Sequence, residues 1–329
     1  MSFVPSPALR ERLVQAARFD AEYGASLSNH LPMALVALAR LGASDERLAE
    51  FATRYARRLH AAPAVAPWPA GDAWRAQLGR PGAWPIYRGL FRDWMQHEGP
   101  ADVLHQALPG LMAGVGAAAF HGPIRVAYAV AANHADELAD ALAYWACRWF
   151  PLGEPPPSGS VVDPAMLLAS FDFADDLPEA ALISQRMASA VAHPRFAPAA
   201  DRLHVDLRST LPRLAHLAAE RYAAGADFTV LHLVTSAHAM QVLLPWFDGE
   251  AERRAALAHY ARAWLAGWAT RPLHDGVRPP LAVLPWPEIV ARVIESDDDH
   301  AIKIVDSCRE LEKSCGGAVW SVAASRAVA

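Results

Sequence analysis

Apolar residues recur every three or four positions along most of this chain, the spacing that places them on one face of an α-helix. Alanine and leucine fill many of these positions and β-branched residues are few, which also favours helix. The sequence lacks strand-like alternation with paired turn signals, so we expect no sheet of any size. The pattern predicts an all-α protein with helices at Ala8–Arg18, Pro32–Leu41, Asp45–Leu59, Ala101–Ala119, Ile124–Val130, Ala135–Trp149, Leu203–Ala223, Phe228–Leu244, Glu250–Trp268 and Trp286–Lys313.

Three proline-rich stretches interrupt the helical pattern: Ala61–Pro85, Pro151–Pro164 and Arg271–Pro287. Each of the first two has the composition of a domain linker. The candidate site residues described below, however, lie on both sides of each stretch. We therefore predict that residues 1–329 form a single helical domain with these three loops on its surface.

Composition and charge narrow the class of protein. Hydrophobic residues make up 53% of the 329 positions, enough for a large core, and the net charge of −5 provides no basic field for nucleic acid. We see no apolar run of the roughly 18 residues that a membrane span needs, and no secretory signal at the start. The three cysteines, Cys147, Cys308 and Cys315, form no CxxC pair, which argues against disulfides and a cysteine zinc site. We expect a cytoplasmic protein without a membrane or nucleic-acid partner.

Five of the fourteen histidines lie in apolar, helical surroundings, whereas most others are flanked by charged or amide residues. For each one alone, a buried histidine with ordinary hydrogen bonds is the simpler interpretation. Several histidines from separate helices, however, are how metal sites are built in helical bundles, and such ligands suit iron, zinc, copper or nickel. Two of the five share one helix six residues apart, about 120° around its axis, and cannot easily bind one ion together. The five are His30, His121, His232, His238 and His300.

Lys303 is one of only two lysines in a chain that otherwise uses arginine, and it follows His300 by three residues on the same helical face. A solvated surface lysine is the simpler interpretation. A neutral lysine amine beside a metal can, however, take up carbon dioxide and become an anionic carbamate ligand. Arginine keeps its proton and cannot do this. An anionic ligand would also balance the charge that several neutral imidazoles leave uncompensated.

Other patterns carry weaker signals. Gly114–Ala119 matches the dinucleotide fingerprint G-x-G-x-x-A but follows no strand, so we interpret it as close packing of small residues. His274-Asp275 resembles the dyad of helical metal phosphohydrolases but lies in a turn-like segment. Tryptophans gather in and after the first loop, where they either line a site for a flat ligand or anchor the loop. These tryptophans are Trp68, Trp74, Trp84 and Trp94.

A set of segments, in order along nearly the whole chain, resembles the questin oxidase-like family. The two most specific are Phe120-His121-Gly122-Pro123-Ile124-Arg125 and Asp298-Asp299-His300-Ala301-Ile302-Lys303. The others are Ser28-Asn29-His30-Leu31-Pro32-Met33, Tyr128, Glu137-Leu138-Ala139 with Ala143-Tyr144-Trp145, and Val234-Thr235 with His238-Ala239.

The resemblance implies a helical fold and oxidative cleavage of polycyclic aromatic ketones such as anthraquinones. It further implies a mononuclear non-haem iron, Fe(II), held by four histidines and a carbamylated lysine. By matching segments, the metal ligands and catalytic residues would be His30, His121, His238, His300 and Lys303, with His232 as the alternative to His238.

The expected partners are therefore a small aromatic substrate and dioxygen. NADPH is a further candidate cofactor for such an oxygenase, although the sequence offers no site for it. Two other classes remain open: a helical metal-dependent hydrolase, and a non-catalytic helical protein that has lost its metal.

Overall fold

Helices dominate the computed structural model of the chain, which describes residues 3–69, 73–156, 159–272, 279 and 281–329. A single short antiparallel pair, β1 (Glu22–Tyr23) with β2 (Leu27–Ser28), is the sheet of this described part. The predicted all-α class is thereby confirmed. The helices are α1 (Pro7–Ala16), α2 (Leu31–Leu41), α3 (Asp45–Ala56), α4 (Trp84–Glu98), α5 (Pro100–Leu111), α6 (His121–Ala131), α7 (Ala135–Cys147), α8 (Ile183–Ala192), α9 (Phe196–Ala200), α10 (Thr210–Gly225), α11 (Phe228–Leu243), α12 (Gly249–Ala269), α13 (Trp286–Glu295), α14 (Asp299–Cys315) and α15 (Val319–Ala327).

The helix predicted at Trp286–Lys313 is in fact two helices, α13 and α14. The break arises because the Asp298 side chain accepts hydrogen bonds from the backbone N–H groups of His300, at 2.8 Å, and Ala301, at 3.3 Å. These bonds cap a new helix N-terminus, which apolar periodicity alone does not show. Four helices escaped prediction: α4, α8, α9 and α15.

Helix α11 lies at the centre of the fold, packed against α6, α10, α12 and α14, while α2 packs against both α6 and α14. Nearly every α11 side chain is buried, as expected for a helix that is apolar on all sides. Such a helix has no solvent-facing stripe. The pattern of its sequence therefore cannot show which side faces which neighbour.

One stretch, Phe228–Trp246, is long and apolar enough to cross a membrane by length and composition. From the sequence we expected no apolar run of this length. In the structure 72% of its most apolar window is buried inside the protein, which is how the core helix of a helical bundle also behaves.

Nearly all buried apolar residues of the described chain belong to one cluster that extends from α1 to α15. It includes residues on both sides of the first two proline-rich loops, such as Leu38, Leu142 and Val234. The prediction of one domain for residues 1–329 agrees with this continuity and stays a prediction.

Candidate metal centre

Histidines from four helices meet inside the bundle. The rings of His30 and His121 stack with centroids 4.5 Å apart, and the ring of His232 lies 4.9 Å from His121 and 5.5 Å from His300. One ring nitrogen each of His30, His121 and His300 lies within 4.8 Å of the other two. We refer to these four residues, His30, His121, His232 and His300, as the histidine cluster.

The short β-hairpin and the residue after it position His30 at the start of α2. The Asn29 backbone N–H donates to the carbonyl of Ala21 at 2.8 Å, and the Asn29 side-chain oxygen accepts from the N–H of Leu31 at 2.9 Å. The N–H of His30 itself donates to the Tyr55 hydroxyl at 3.0 Å. With both neighbouring peptides held, the imidazole projects from a fixed backbone.

A left-handed segment precedes His121. Ala118, Ala119 and Phe120 have φ angles of 48°, 55° and 67°, a conformation in which a Cβ crowds the following carbonyl and costs about 1–2 kcal/mol per residue. The segment turns the carbonyl of Ala118 back so that it accepts a hydrogen bond from Nδ1 of His121. Backbone held in such costly conformations is concentrated at functional sites.

Each ring of the histidine cluster turns its Nδ1 toward an oxygen. A ring that donates its Nδ1–H keeps a lone pair on Nε2, which is the form that binds a metal. The Nδ1 partners are a carboxylate oxygen of Asp299 for His30, the carbonyl of Ala118 for His121, the carbonyl of Phe228 at 2.8 Å for His232, and the other carboxylate oxygen of Asp299 at 3.5 Å for His300.

The Nε2 atoms of the histidine cluster lack ordinary partners. Those of His30 and His121 face each other at 2.7 Å, where two lone pairs repel. Those of His232 and His300 are buried with no hydrogen-bond partner among the described residues. Since buried polar atoms are nearly always paired, these atoms fit a cation that binds several of them at once.

Burial keeps the histidine cluster neutral. It is the largest cause lowering the pKa of His30 to about 3, and it holds the pKa of the other three below the ordinary value of 6.5. Neutral imidazoles are the metal-binding form, so no proton has to be displaced before a metal binds.

Lys303 lies one turn beyond His300 in α14, with only 1% of its surface exposed. Its positive charge contributes to the lowered pKa of all four members of the histidine cluster, which requires its amine to be near them. Burial in turn lowers the pKa of Lys303 to about 8. A small but useful fraction of this amine is therefore neutral near pH 7, the form that reacts with carbon dioxide.

Asp299 is a site residue that the sequence did not single out; it stood there only as one position of a family segment. The Asp299 carboxylate is buried and accepts a hydrogen bond from Nδ1 of His30. Burial raises the pKa of this carboxyl group, but the interactions with His30 and His300 lower it by more, so the pKa lies well below the usual range. A carboxylate that orients a metal-binding histidine is a recurrent partner in such sites. Its position directly before His300 was the available signal.

His238 lies apart from the histidine cluster. Its Nδ1 is 3.2 Å from the hydroxyl oxygen of Ser307, and its ring centroid is 6.1 Å from that of Tyr128. Of the five predicted ligands, the structure brings His30, His121, His300 and Lys303 together and leaves His238 out. The geometry favours the alternative, His232, because α11 turns that side chain and not His238 toward the other three.

A cavity of about 240 Å³ opens directly onto the histidine cluster, near the lower end of the size range of small-molecule sites. Phe228 stands at its wall, with its ring 4.6 Å from that of His300 and 4.9 Å from that of His232. Besides the histidine cluster, the lining consists of Tyr23, Ser26, Leu27, Ser28, Ala118, Ala119, Ala181, Leu182, Ile183, Ser184, Arg186 and Phe228.

The weaker sequence signals lie elsewhere. A Cβ added to Gly114 would lie 2.3 Å from the Trp149 ring, which confirms close packing at this fingerprint-like segment. None of the four clustered tryptophans lines the cavity at the histidine cluster; Trp74, for example, packs against Phe91 and Trp94. His274-Asp275 lies outside the described residues.

The fold and this centre define an all-α protein with a buried, histidine-rich site beside a ligand-sized cavity. The sequence model of the questin oxidase-like family matches residues 27–308, so the chain belongs to that family. The family description suggests an oxidoreductase acting on aromatic compounds. A search of curated proteins finds no match.

Several residues of the family segments hold the helices rather than line the cavity. The buried Arg125 guanidinium donates to both carboxylate oxygens of Glu137, at 2.6 and 3.0 Å, and ties α6 to α7. The Tyr144 hydroxyl lies 2.6 Å from that of Ser28 and ties α7 to the hairpin before His30. These bonds fix the elements that carry His30 and His121.

Proposed function

We propose that this protein is a non-haem iron-dependent oxygenase that oxidises a flat aromatic or quinone-like ketone. The observation that carries the proposal is the convergence of His30, His121 and His300, each with one ring nitrogen within 4.8 Å of the other two, beside the ring of His232. The Nε2 atoms of His232 and His300 are buried and have no hydrogen-bond partner among the described residues. The predicted ligand set becomes the histidine cluster, His30, His121, His232 and His300, together with Lys303.

Lys303 supplies the negative charge in this proposal. The Lys303 ammonium first loses one proton to solvent. The neutral amine then attacks carbon dioxide, so that an N–C bond forms, one C=O π bond opens to a carboxylate oxygen, and a second proton leaves the nitrogen to give an anionic carbamate. Burial supports the step because it lowers the pKa of the amine to about 8. The carbamate then offsets part of the charge of a divalent ion that neutral histidines leave uncompensated.

The remaining residues of the site orient the imidazole rings and enclose the substrate. Asp299 and the carbonyls of Ala118 and Phe228 hold the imidazole rings with Nε2 directed inward. The Phe228 ring offers a face against which a flat substrate packs. When bound, iron would supply dioxygen activation, or polarise the substrate ketone as a Lewis acid.

Metal analysis after anaerobic loading separates this proposal from its two rivals. Iron near one atom per chain, with oxidation of an anthraquinone-type ketone, is the expected result. Zinc or manganese retained in preference to iron would favour a hydrolase. Failure to retain any metal under every loading condition would favour a non-catalytic protein and overturn the proposal.

The proposed setting remains cytoplasmic. Dioxygen and one small aromatic molecule are the proposed partners, and NADPH is retained only as a candidate reductant. Oxygen consumption with and without NADPH, at fixed substrate, distinguishes an oxygenase that draws on an external reductant from one that takes all its electrons from the substrate.

A further inference from the structure

Arg186 is a cation with an unsatisfied donor beside the cavity that faces the histidine cluster. It lies on α8, which packs against the left-handed segment before His121, and it lines both this cavity and a second, more open one of about 630 Å³. Its Nε is buried and has no hydrogen-bond partner among the described residues. Arg186 as a whole is half-buried. Buried polar atoms are normally paired, so its Nε–H can be offered to a group that the protein does not itself provide.

The acidic group whose charge acts on Arg186 is already engaged. Asp227 is the carboxylate that acts on Arg186 through its charge, but one of its oxygens binds Arg271 at 2.6 Å. The other oxygen accepts from the backbone N–H of Val230 at 2.9 Å and caps α11. Arg271 itself repels Arg186. The acidic residues Asp175 and Glu179 line only the more open of the two cavities.

Two more deeply buried arginines differ from Arg186 in having a carboxylate partner. Carboxylates raise the pKa of Arg40 and Arg125, because Asp306 and Glu137 lie against them. The pKa of Arg186 is instead lowered, first by burial and then by Arg271. No aspartate or glutamate is among the described residues that line the cavity at the histidine cluster.

We propose that Arg186 binds an anionic oxygen group, a carboxylate or an ionised phenol, on an aromatic substrate in the cavity that Phe228 and the histidine cluster line. The inference rests on the proposed function, since it assumes a flat substrate in this cavity. A guanidinium provides a planar fork of donors that matches such oxygens. A substrate whose anionic group is bound by Arg186 presents its opposite edge to the histidine cluster. Arg186 therefore determines both which substrates bind and how they are oriented.

Calorimetric binding of three probes to the full chain tests the proposal. The probes are anthraquinone-2-carboxylate, its neutral methyl ester, and 2-hydroxyanthraquinone measured below and above the pH at which its phenol ionises. We expect the carboxylate to bind about tenfold or more tightly than the ester, since hydrogen bonds to charged groups are the strong ones. Tighter binding of the hydroxyl probe only when ionised would identify phenolate as a second accepted group, and no gain would restrict the site to carboxylate.

The matched variants are Arg186→Gln, Arg186→Lys and Arg208→Gln. Arg208 is exposed, so its replacement removes the same charge without touching the cavity. We expect Arg186→Gln to abolish the preference for the carboxylate, Arg186→Lys to keep part of it, and Arg208→Gln to keep all of it. An unchanged preference in Arg186→Gln, or none in the wild type, overturns the assignment.

Metal content is measured on the same samples, so the two proposals can fail separately. A protein that binds iron but does not discriminate between acid and ester refutes the role of Arg186 alone. A protein that discriminates through Arg186 but retains no iron refutes the oxygenase proposal and leaves an anion-selective aromatic site.

Discussion

Helix α14 carries two buried polar regions one turn apart, and they differ in whether their polar atoms have partners. The histidine cluster lies around Lys303. Two of its Nε2 atoms face each other, and the other two have no hydrogen-bond partner among the described residues. Beyond it lies the Asp306 network, formed by Arg40, Tyr128, Asp306 and Glu310. Asp306 accepts from Arg40 at 3.1 Å and from the Tyr128 hydroxyl at 3.1 Å, and Arg40 also reaches Glu310 at 3.0 Å.

This difference distinguishes a ligand-binding site, the histidine cluster, from a group of residues that only stabilises the fold, the Asp306 network. The Asp306 network is saturated by its own members, so it needs no ligand and contributes to holding α2, α6 and α14 together. The histidine cluster is saturated only on its Nδ1 side, so its unpaired side points to a missing partner. Burial and the presence of charged residues are common to both regions and do not tell them apart.

The largest expected effect comes from Lys303→Arg. Arginine keeps the positive charge but cannot form a carbamate, so we expect loss of most bound iron and nearly all oxidation of the ketone. Iron per chain by elemental analysis and oxygen uptake measure the two losses. Lys313→Arg is the control, because Lys313 is exposed and pairs with Glu310 on the helix surface.

The folding of Lys303→Arg must be checked by circular dichroism and thermal unfolding. A folded variant that still binds iron at one per chain and turns over would contradict the carbamate. A crystal structure near neutral pH offers a direct view, since the carbamate would extend beyond the Lys303 amine.

The next effect separates the two histidines of α11. We expect His232→Ala to weaken iron binding more than about 100-fold, beyond what loss of a group behind a ligand usually costs. His238→Ala should leave iron affinity within about tenfold of the wild type, because Ser307 and not the cluster is its neighbour. Competition with a coloured chelator measures both, and the reverse order would restore His238 as the ligand.

Disrupting the Asp306 network should lower the free energy of unfolding and leave iron binding unchanged. Asp306→Asn leaves the Arg40 guanidinium without its buried partner, and loss of one member of such a pair destabilises by about 3 kcal/mol. Urea unfolding measures the change, and the iron content should not fall. Glu310→Gln, at a more exposed partner, should cost clearly less; equal losses, or iron lost with Asp306→Asn, would show that the two regions are not independent.

The smallest effect is a pH dependence that belongs to His238. Burial, opposed by Glu310 and assisted by Arg40 and Lys313, lowers its pKa to about 3. The unfolded chain therefore gains a proton below about pH 6.5 while the folded one does not, so stability falls as the pH falls toward 3. One such group costs about 1.4 kcal/mol per pH unit, hence about 2 kcal/mol between pH 6.5 and 5.

Urea unfolding at pH 6.5 and 5, with a chelator present, measures this dependence. His238→Gln should lose less stability over this interval than the wild type, by about 2 kcal/mol. The histidine cluster is present in both proteins and cancels in the comparison. Parallel losses in the two proteins would mean that His238 titrates normally in the folded state.

Much of the fold was predictable because helical periodicity and helix ends are local. Gly42 ends α2 in the left-handed conformation and the Ser44 side chain caps α3, and each of these signals depends on one residue type at one position. Periodicity does not predict a helix boundary where a single side chain caps a new helix. The Asp298 cap divides one predicted helix, and α8 was missed because a short helix between loops offers little periodicity.

The sequence predicted most residues of the site but not their arrangement in space. His30, His121, His300 and Lys303 attracted attention as polar residues in apolar surroundings, and the family resemblance made them a set. Choosing between His232 and His238 needed the rotation of α11, which a helix buried on all sides does not reveal. Arg186 was missed because one arginine among many has no distinguishing neighbourhood until the cavity is known.

The left-handed turn at residues 118–120 also exchanges stability for orientation. In an ordinary helix an alanine-to-glycine change costs about 1 kcal/mol, but here glycine would relieve the crowding at Ala118 and Ala119 and offset that loss. Alanine has fewer backbone conformations than glycine, so the same two residues narrow the range of directions in which His121 can point.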